Sequence, residues 1–219
     1  MGLRARALLL TARAVFEAPA LEVAPRLLGA LLTHRTADGT VTVRLTEVEA
    51  YSGQGEDPGS HAHRGRTPRN AVMFGPAGHL YTYFTYGMHT CANIVCLPEG
   101  LAAGILLRGG EVVAGEELAE ARRFGAARRD LARGPARLAT ALGISLADGG
   151  ADLLDPEGAF SIGLPTAGTG PIGTGPRTGV SGEGGDAERY PWRFFLVGDP
   201  TVSPYRQAVP RVRRAPHRR

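Results

Sequence analysis

Two acids on one strand-like run, Glu47 and Glu49, occupy a setting that calls for chemistry. Ahead of them Val41, Val43 and Leu45 alternate with Thr42, Arg44 and Thr46, the period of a half-buried strand. Carried forward, the same parity brings Glu47, Glu49 and Tyr51 onto the apolar face. An inward carboxylate is costly unless paired or wetted, so the run is expected to end in a cleft or to emerge into solvent. In a cleft, burial raises a carboxyl's pKa, whereas a catalytic base must still ionise near neutral pH.

Four of the six tyrosines fall at 51, 81, 83 and 86, and Phe84 stands among them. Alternation puts Tyr81, Tyr83 and Thr85 on one face and leaves Tyr86, beside Gly87, at a turn where core burial offers an aromatic little. One reading is a core aromatic cluster under a loop. The other is a projecting hairpin whose large side chains wedge between base steps, beside aromatic walls that sandwich an extruded base. Arg64, Arg66, Arg69 and Arg108 are placed to contact phosphates around the same cleft, and surface arginine is equally consistent with them. The loop Glu56 to His63 carries two carboxylates and two imidazoles. No C-x-x-C or H-E-x-x-H spacing accompanies them, so no metal is assigned there.

These side chains need strands to hold them. The pattern predicts a helix over 19–32, kinked at Pro25, and a strand over 40–51. Two strands over 80–84 and 91–97 flank Tyr86-Gly87-Met88 as a hairpin, and a further strand runs from Ile105 to Val113. Short helices are expected over 116–124 and 135–142, closed by Gly125 and Gly143. A Gly- and Pro-rich stretch over 163–185 wraps the surface, and a last strand covers 193–197. Gly168-x-Gly170-x-x-Gly173 has Pro171 inside it and no helix after it, so it is not a dinucleotide fingerprint. The fold class is α+β, mainly antiparallel, as a single domain over 1–210 that begins in earnest near 13.

The chain has 219 residues, 43% of them hydrophobic, enough for a real core. Every one of its 25 basic residues is Arg, which excludes a Walker A lysine, a Schiff-base lysine and a lysine general base. Five arginines lie in 211–219, so the net charge of +4 leaves 4 − 5 = −1 over 1–210. The tail reads as a solvated, disordered end or a non-specific phosphate binder. Cys91 and Cys96 are five apart in a strand and face opposite ways, which argues against a disulfide and for a reducing, cytoplasmic setting. The apolar run at 7–10 is too short for a signal peptide or a membrane span.

Taken in order, V-E-A-Y (48–51), E-D-P-G-S-H (56–61), R-T-P-R-N (66–70), M-F (73–74), L-Y-T-Y-F-T-Y-G-M (80–88), C-A-N-I (91–94) and L-L-R (106–108) resemble the alkyladenine (3-methyladenine) DNA glycosylase family. Weaker similarity continues through R-G-P-A-R-L (133–138), P-R-T-G-V (176–180) and R-F-F-L-V-G-D-P-T-V-S (193–203). The basic tail has no counterpart. The resemblance implies a curved antiparallel sheet and a hairpin that enters the minor groove of damaged double-stranded DNA. It also implies that Glu49 activates the hydrolytic water, while Tyr51, His61 and Tyr83 line the base pocket. Asn93 would bar guanine, Tyr86 would fill the hole left by the flipped nucleotide, and Met88 would add to the wedge. Arg108, with Arg66 and Arg69, would hold backbone phosphate.

The implied enzyme is a monomeric, cofactor-free, nucleoid-associated bacterial glycosylase that excises alkylated or deaminated purines. Lacking lysine, it would leave the abasic strand intact. Phe84-Thr85 and His63 depart from the usual pattern, and Glu47 is a rival base if the strand register shifts. Two other classes stay open: a metal-dependent small-molecule hydrolase using Asp57, His61 and His63, and a non-catalytic DNA-binding module.

Overall fold

A computed structural model describes residues 13–85 and 87–208, so Tyr86 and the basic tail lie outside the described residues. Strands β1 (Leu31–Thr36), β2 (Gly39–Tyr51), β3 (Leu80–Thr85), β4 (His89–Cys96), β5 (Ala103–Ala114) and β7 (Phe160–Gly163) form a mainly antiparallel sheet in the order β3-β4-β5-β2-β1-β7. Short β6 (Ala132–Arg133) pairs with β5, while β9 (Arg193–Leu196) pairs with the second half of β2 and carries β8 (Ile172–Gly175) on its outer side. Helices α1 (Ala20–Val23), α2 (Glu116–Arg122) and α3 (Pro135–Leu142) are short, which makes the fold α+β.

The expected helix over 19–32 is not continuous. Pro25 has no N–H to extend α1, and the chain tightens into a 3-10 turn over Ala24–Leu27. Gly29, at φ +84°, then reverses the chain, and Leu31 and Leu32 enter β1 instead of a helix. Thr33 to Gly39 is a polar stretch to which the sequence pattern assigns no strand. In the fold β1 is held by full pairing with β2, from Leu31 opposite Arg44 to Thr36 opposite Gly39. β8 is equally hidden, in the glycine-rich stretch. A side chain at Gly173 would meet the Phe195 ring at 2.5 Å, so close strand packing, not surface wrapping, accounts for that glycine.

The parity of β2 does not carry through. Thr46 on β2 and Arg108 on β5 are each skipped in the pairing, two bulges placed next to one another. Val41, Val43 and Leu45 point into the main core, and after the bulge Val48 and Ala50 do so. Glu47, Glu49 and Tyr51 therefore lie on the opposite face from Leu45, not on the same one. The main core fills the space between the sheet and α1, the 3-10 turn and α3, with Val23, Leu27, Leu138 and Leu142 against Leu45, Ile105 and Leu107. A smaller cluster of Met73, Phe74, Tyr81 and Val95 lies apart from it beneath the loop after β2. Cys96 belongs to the main core, Cys91 faces the other side, and both are free thiols. Among the described residues no helix is long and apolar enough to cross a membrane.

Candidate active site

On the non-core face a cavity of about 380 Å³ opens between β3, β4, β5, the loop after β2 and the segment 178–181. That volume is near the lower end for small-molecule sites, roughly 300–1,000 Å³. Tyr51, His61, Tyr83, Asn93 and Arg108 all line it, five expected site residues brought together from five separate stretches of chain. His61 meets the Tyr83 ring edge-on at 4.6 Å between centroids, and its Nδ1 lies 3.0 Å from the Tyr81 hydroxyl. Partial desolvation in the cavity wall, then the Arg69 charge, lowers the His61 pKa. Asn93 donates from Nδ2 to the Tyr81 carbonyl at 3.2 Å and is itself buried.

Glu49 lies one layer beneath the cavity, at 0% exposure. Its Oε2 accepts from the Tyr51 hydroxyl at 2.8 Å and its Oε1 accepts from the Thr178 N–H at 2.6 Å. Arg108 Nη1 is 3.3 Å from Oε1. All three partners line the cavity, and Glu49 itself does not. Burial pushes the Glu49 pKa up, with Arg108, the Thr178 N–H and the Tyr51 hydroxyl opposing and the nearby Glu47 charge adding to the rise.

Glu47 is equally buried but enclosed by cations. Its Oε1 accepts from Arg108 Nε at 2.9 Å, Arg193 Nε at 2.6 Å and the Ser203 hydroxyl at 2.9 Å, while its Oε2 takes the Ser203 N–H at 2.7 Å. Burial acts to raise its pKa, and Arg108, Arg193 and the Ser203 N–H together more than offset that and hold it low. Arg108, expected at the DNA backbone, is 5% exposed and joins the two acids in the cavity floor. Arg66 and Arg69 are exposed, and Arg69 donates to the Phe84 carbonyl at 3.1 Å, bracing the hairpin strand. At the hairpin's end Phe84 is 45% and Met88 67% exposed.

Sequence reasoning missed Arg177. Its guanidinium is fully buried, grips Asp57 at 2.6 and 2.8 Å, and donates to the carbonyls of Ala50 and Gly184. It also lies 4.5 Å from the centroid of the Tyr51 ring. One side chain thus ties the His61 loop, β2 and the glycine-rich segment together and sets the next residue, Thr178, against Glu49. The quoted P-R-T-G-V stretch was the one available signal for it. With Asp57 committed to Arg177, the trio of Asp57, His61 and His63 is not assembled, and no group of three or more His, Cys, Asp or Glu among the described residues is placed to hold a metal ion. His63 does not line the cavity.

The family described as methylpurine-DNA glycosylase (MPG) matches residues 14–200. A protein of Leifsonia xyli subsp. xyli is 60% identical over 200 residues, covering 89% of this chain and 92% of its own, and one of Streptomyces avermitilis is 55% identical over 205 residues, covering 92% and 94%. Both carry the name "Putative 3-methyladenine DNA glycosylase". With a match across nearly all of the described residues, the chain belongs to the methylpurine-DNA glycosylase family.

Proposed function

We propose that the chain is a monofunctional glycosylase that flips alkylated or deaminated purines, of the 3-methyladenine, 7-methylguanine, hypoxanthine and ethenoadenine type, out of duplex DNA and hydrolyses the N-glycosidic bond with a water activated by Glu49. The observation that carries this reading is the position of Glu49 directly beneath an aromatic cavity, bonded to three of its lining residues. The everted base enters between Tyr51 and the His61–Tyr83 wall, where stacking contributes roughly 1–3 kcal/mol per base. Asn93 restricts which purine fits. Tyr86 and Met88 hold the duplex open behind it, and a damaged or mispaired base is the cheaper one to extrude.

A cationic alkylated purine leaves as a neutral base, so its departure needs little protonation. Positive charge builds on the sugar instead, in an oxocarbenium-like transition state that the Glu49 carboxylate stabilises as it takes a proton from the attacking water. Glu49 must be ionised for this, and Arg108 and the Thr178 N–H favour that form against burial. Arg66 and Arg69 take backbone phosphate on the cavity's outer side. Arg108 meets only a phosphate drawn into the cavity mouth. The enzyme acts as a monomer in the nucleoid, without metal or cofactor, and the absence of lysine leaves the abasic strand uncut.

The test incubates wild-type and Glu49→Gln protein with duplexes holding single lesions, in EDTA, and scores released base and alkali-labile sites. Wild-type protein is expected to release base and yield strand breaks only after alkali. Absence of base release from every lesion overturns the reading, and breaks without alkali overturn its monofunctional part.

A further inference from the structure

The route by which the chain leaves the fold is fixed by hydrogen bonds at the cavity. Arg133, two positions before the cavity-lining Pro135, donates from Nε to the Val202 carbonyl at 2.9 Å. Ser203 gives both of its donors to Glu47. The Arg206 carbonyl then accepts at 3.2 Å from the N–H of Gly179, itself a lining residue. Residues 202–206 are thus pinned between two stretches that line the cavity, with Tyr205 and Arg206 exposed at its rim. From Pro200 onward the sequence holds six arginines and no acid, and five of the six fall in the eleven positions after Ala208. That stretch begins three residues past Arg206, within roughly 10–11 Å of it. With a net charge of −1 over residues 1–210, the fold offers little to neutralise it.

We propose that the arginines of 209–219 bind backbone phosphates of the same duplex whose base occupies the cavity, in the stretch flanking the lesion; this rests on the glycosylase reading above. Charge alone would leave the tail a solvated end. Its point of departure is what assigns the partner, because a duplex engaged at the cavity brings a polyanion to that rim. Eleven residues reach at most about 36–40 Å, and phosphates repeat every ~3.4 Å along one strand. The contacts therefore fall within about one helical turn of the rim. Each arginine that meets a phosphate releases condensed counterion, and the gain is independent of sequence. The tail adds affinity for duplex DNA, and the choice of lesion stays with the cavity.

The test compares wild type with a full-length variant carrying Arg211→Gln, Arg213→Gln, Arg214→Gln, Arg218→Gln and Arg219→Gln, and with a variant carrying Arg→Lys at the same five positions. Affinity is measured between about 50 and 200 mM salt for a duplex holding an uncleavable tetrahydrofuran abasic analogue and for its undamaged counterpart. Hydroxyl-radical footprints are taken on the first. Wild type is expected to lose affinity with salt more steeply than the glutamine variant on both duplexes, by up to about 4.5 in the log–log slope, roughly 0.9 per arginine. The lysine variant keeps the wild-type slope. The wild-type footprint extends past that of the glutamine variant by up to about one helical turn. Equal slopes overturn the inference. So does a slope difference with identical footprints, which places the tail on a second duplex, or a lysine variant as shallow as the glutamine one, which assigns the effect to something other than charge. Base release from a hypoxanthine duplex is scored alongside. If wild-type protein releases none from this or any other lesion, the glycosylase reading has failed, and the slopes and footprints still decide whether the tail holds phosphate.

Discussion

Glu47 and Glu49 stand two residues apart on β2, both at 0% exposure, both touched by Arg108, and their pKa values move in opposite directions. Surface exposure is therefore not what separates them. Glu47 has two guanidiniums and both donors of Ser203, whereas Glu49 has one guanidinium at the longer distance of 3.3 Å, one backbone N–H and a phenol. The first is a closed structural hub beneath β9. The second lies beneath a cavity, where burial works against its charged form. Linkage gives the two acids opposite signs. Glu47, depressed on folding, contributes stability above its unfolded pKa that is lost as pH falls through its folded value. Glu49, raised on folding, favours the fold below its unfolded pKa, and that contribution is lost as pH rises through its folded value.

The sharpest way to break the comparison is to neutralise each acid in turn at pH 7. Glu49→Gln should lower single-turnover base release by about 10³- to 10⁴-fold, roughly 4–5.5 kcal/mol of barrier, with thermal stability unchanged or raised. Glu47→Gln should do the reverse. It strands Arg108 and Arg193 in the interior and should cost about 3–5 kcal/mol of folding free energy, read from urea unfolding. If Glu47→Gln folds as well as wild type and has lost its activity, the two roles have been assigned the wrong way round.

Arg177→Lys sharpens the same contrast with a smaller effect. Lysine keeps the charge but cannot reproduce the two-pronged grip on Asp57 together with the Ala50 and Gly184 carbonyls. A loss of about 2–3 kcal/mol in urea unfolding is expected. Base release should weaken too, because Tyr51 loses the planar guanidinium packed on its ring and Thr178 its anchor. Unchanged stability would show that the buried pair is not what fastens the glycine-rich segment to the His61 loop.

Much of this site is legible in residue order. The alternation of Leu80 to Thr85 puts Tyr81, Tyr83 and Thr85 on the cavity side, and the hairpin strands are found close to where the pattern sets them. What resists reading has physical causes. A bulge adds one residue without changing composition, so nothing in T-V-R-L-T-E-V-E-A-Y reveals that Thr46 is skipped and that Glu47 and Glu49 change faces. β1 and β8 are polar or glycine-rich and owe their existence to partners far along the chain. Arg177 is one arginine among 25, and its role comes from Asp57, 120 positions earlier. The distinction between the two glutamates was invisible for the same reason: Arg193 and Ser203, which enclose Glu47, arrive with β9 and the turn after it.

The finest test of what sets Glu49 apart is Tyr51→Phe, which keeps an aromatic ring for stacking and removes one donor. The Tyr51 hydroxyl bonds the charged form of Glu49 at 2.8 Å and opposes the upward push of burial. Without it the Glu49 pKa rises further. A base is inactive once protonated, so base release falls as pH drops through that value, and the acid limb of the pH–rate profile moves to higher pH in the variant. At neutral pH the rate should fall about 2- to 10-fold, the worth of a single hydrogen bond, and recover towards wild type on the alkaline plateau. A loss of the same size at every pH would place the effect in the cavity wall, not in the ionisation of Glu49. The difference between the two glutamates would then rest on Arg108 and the Thr178 N–H alone.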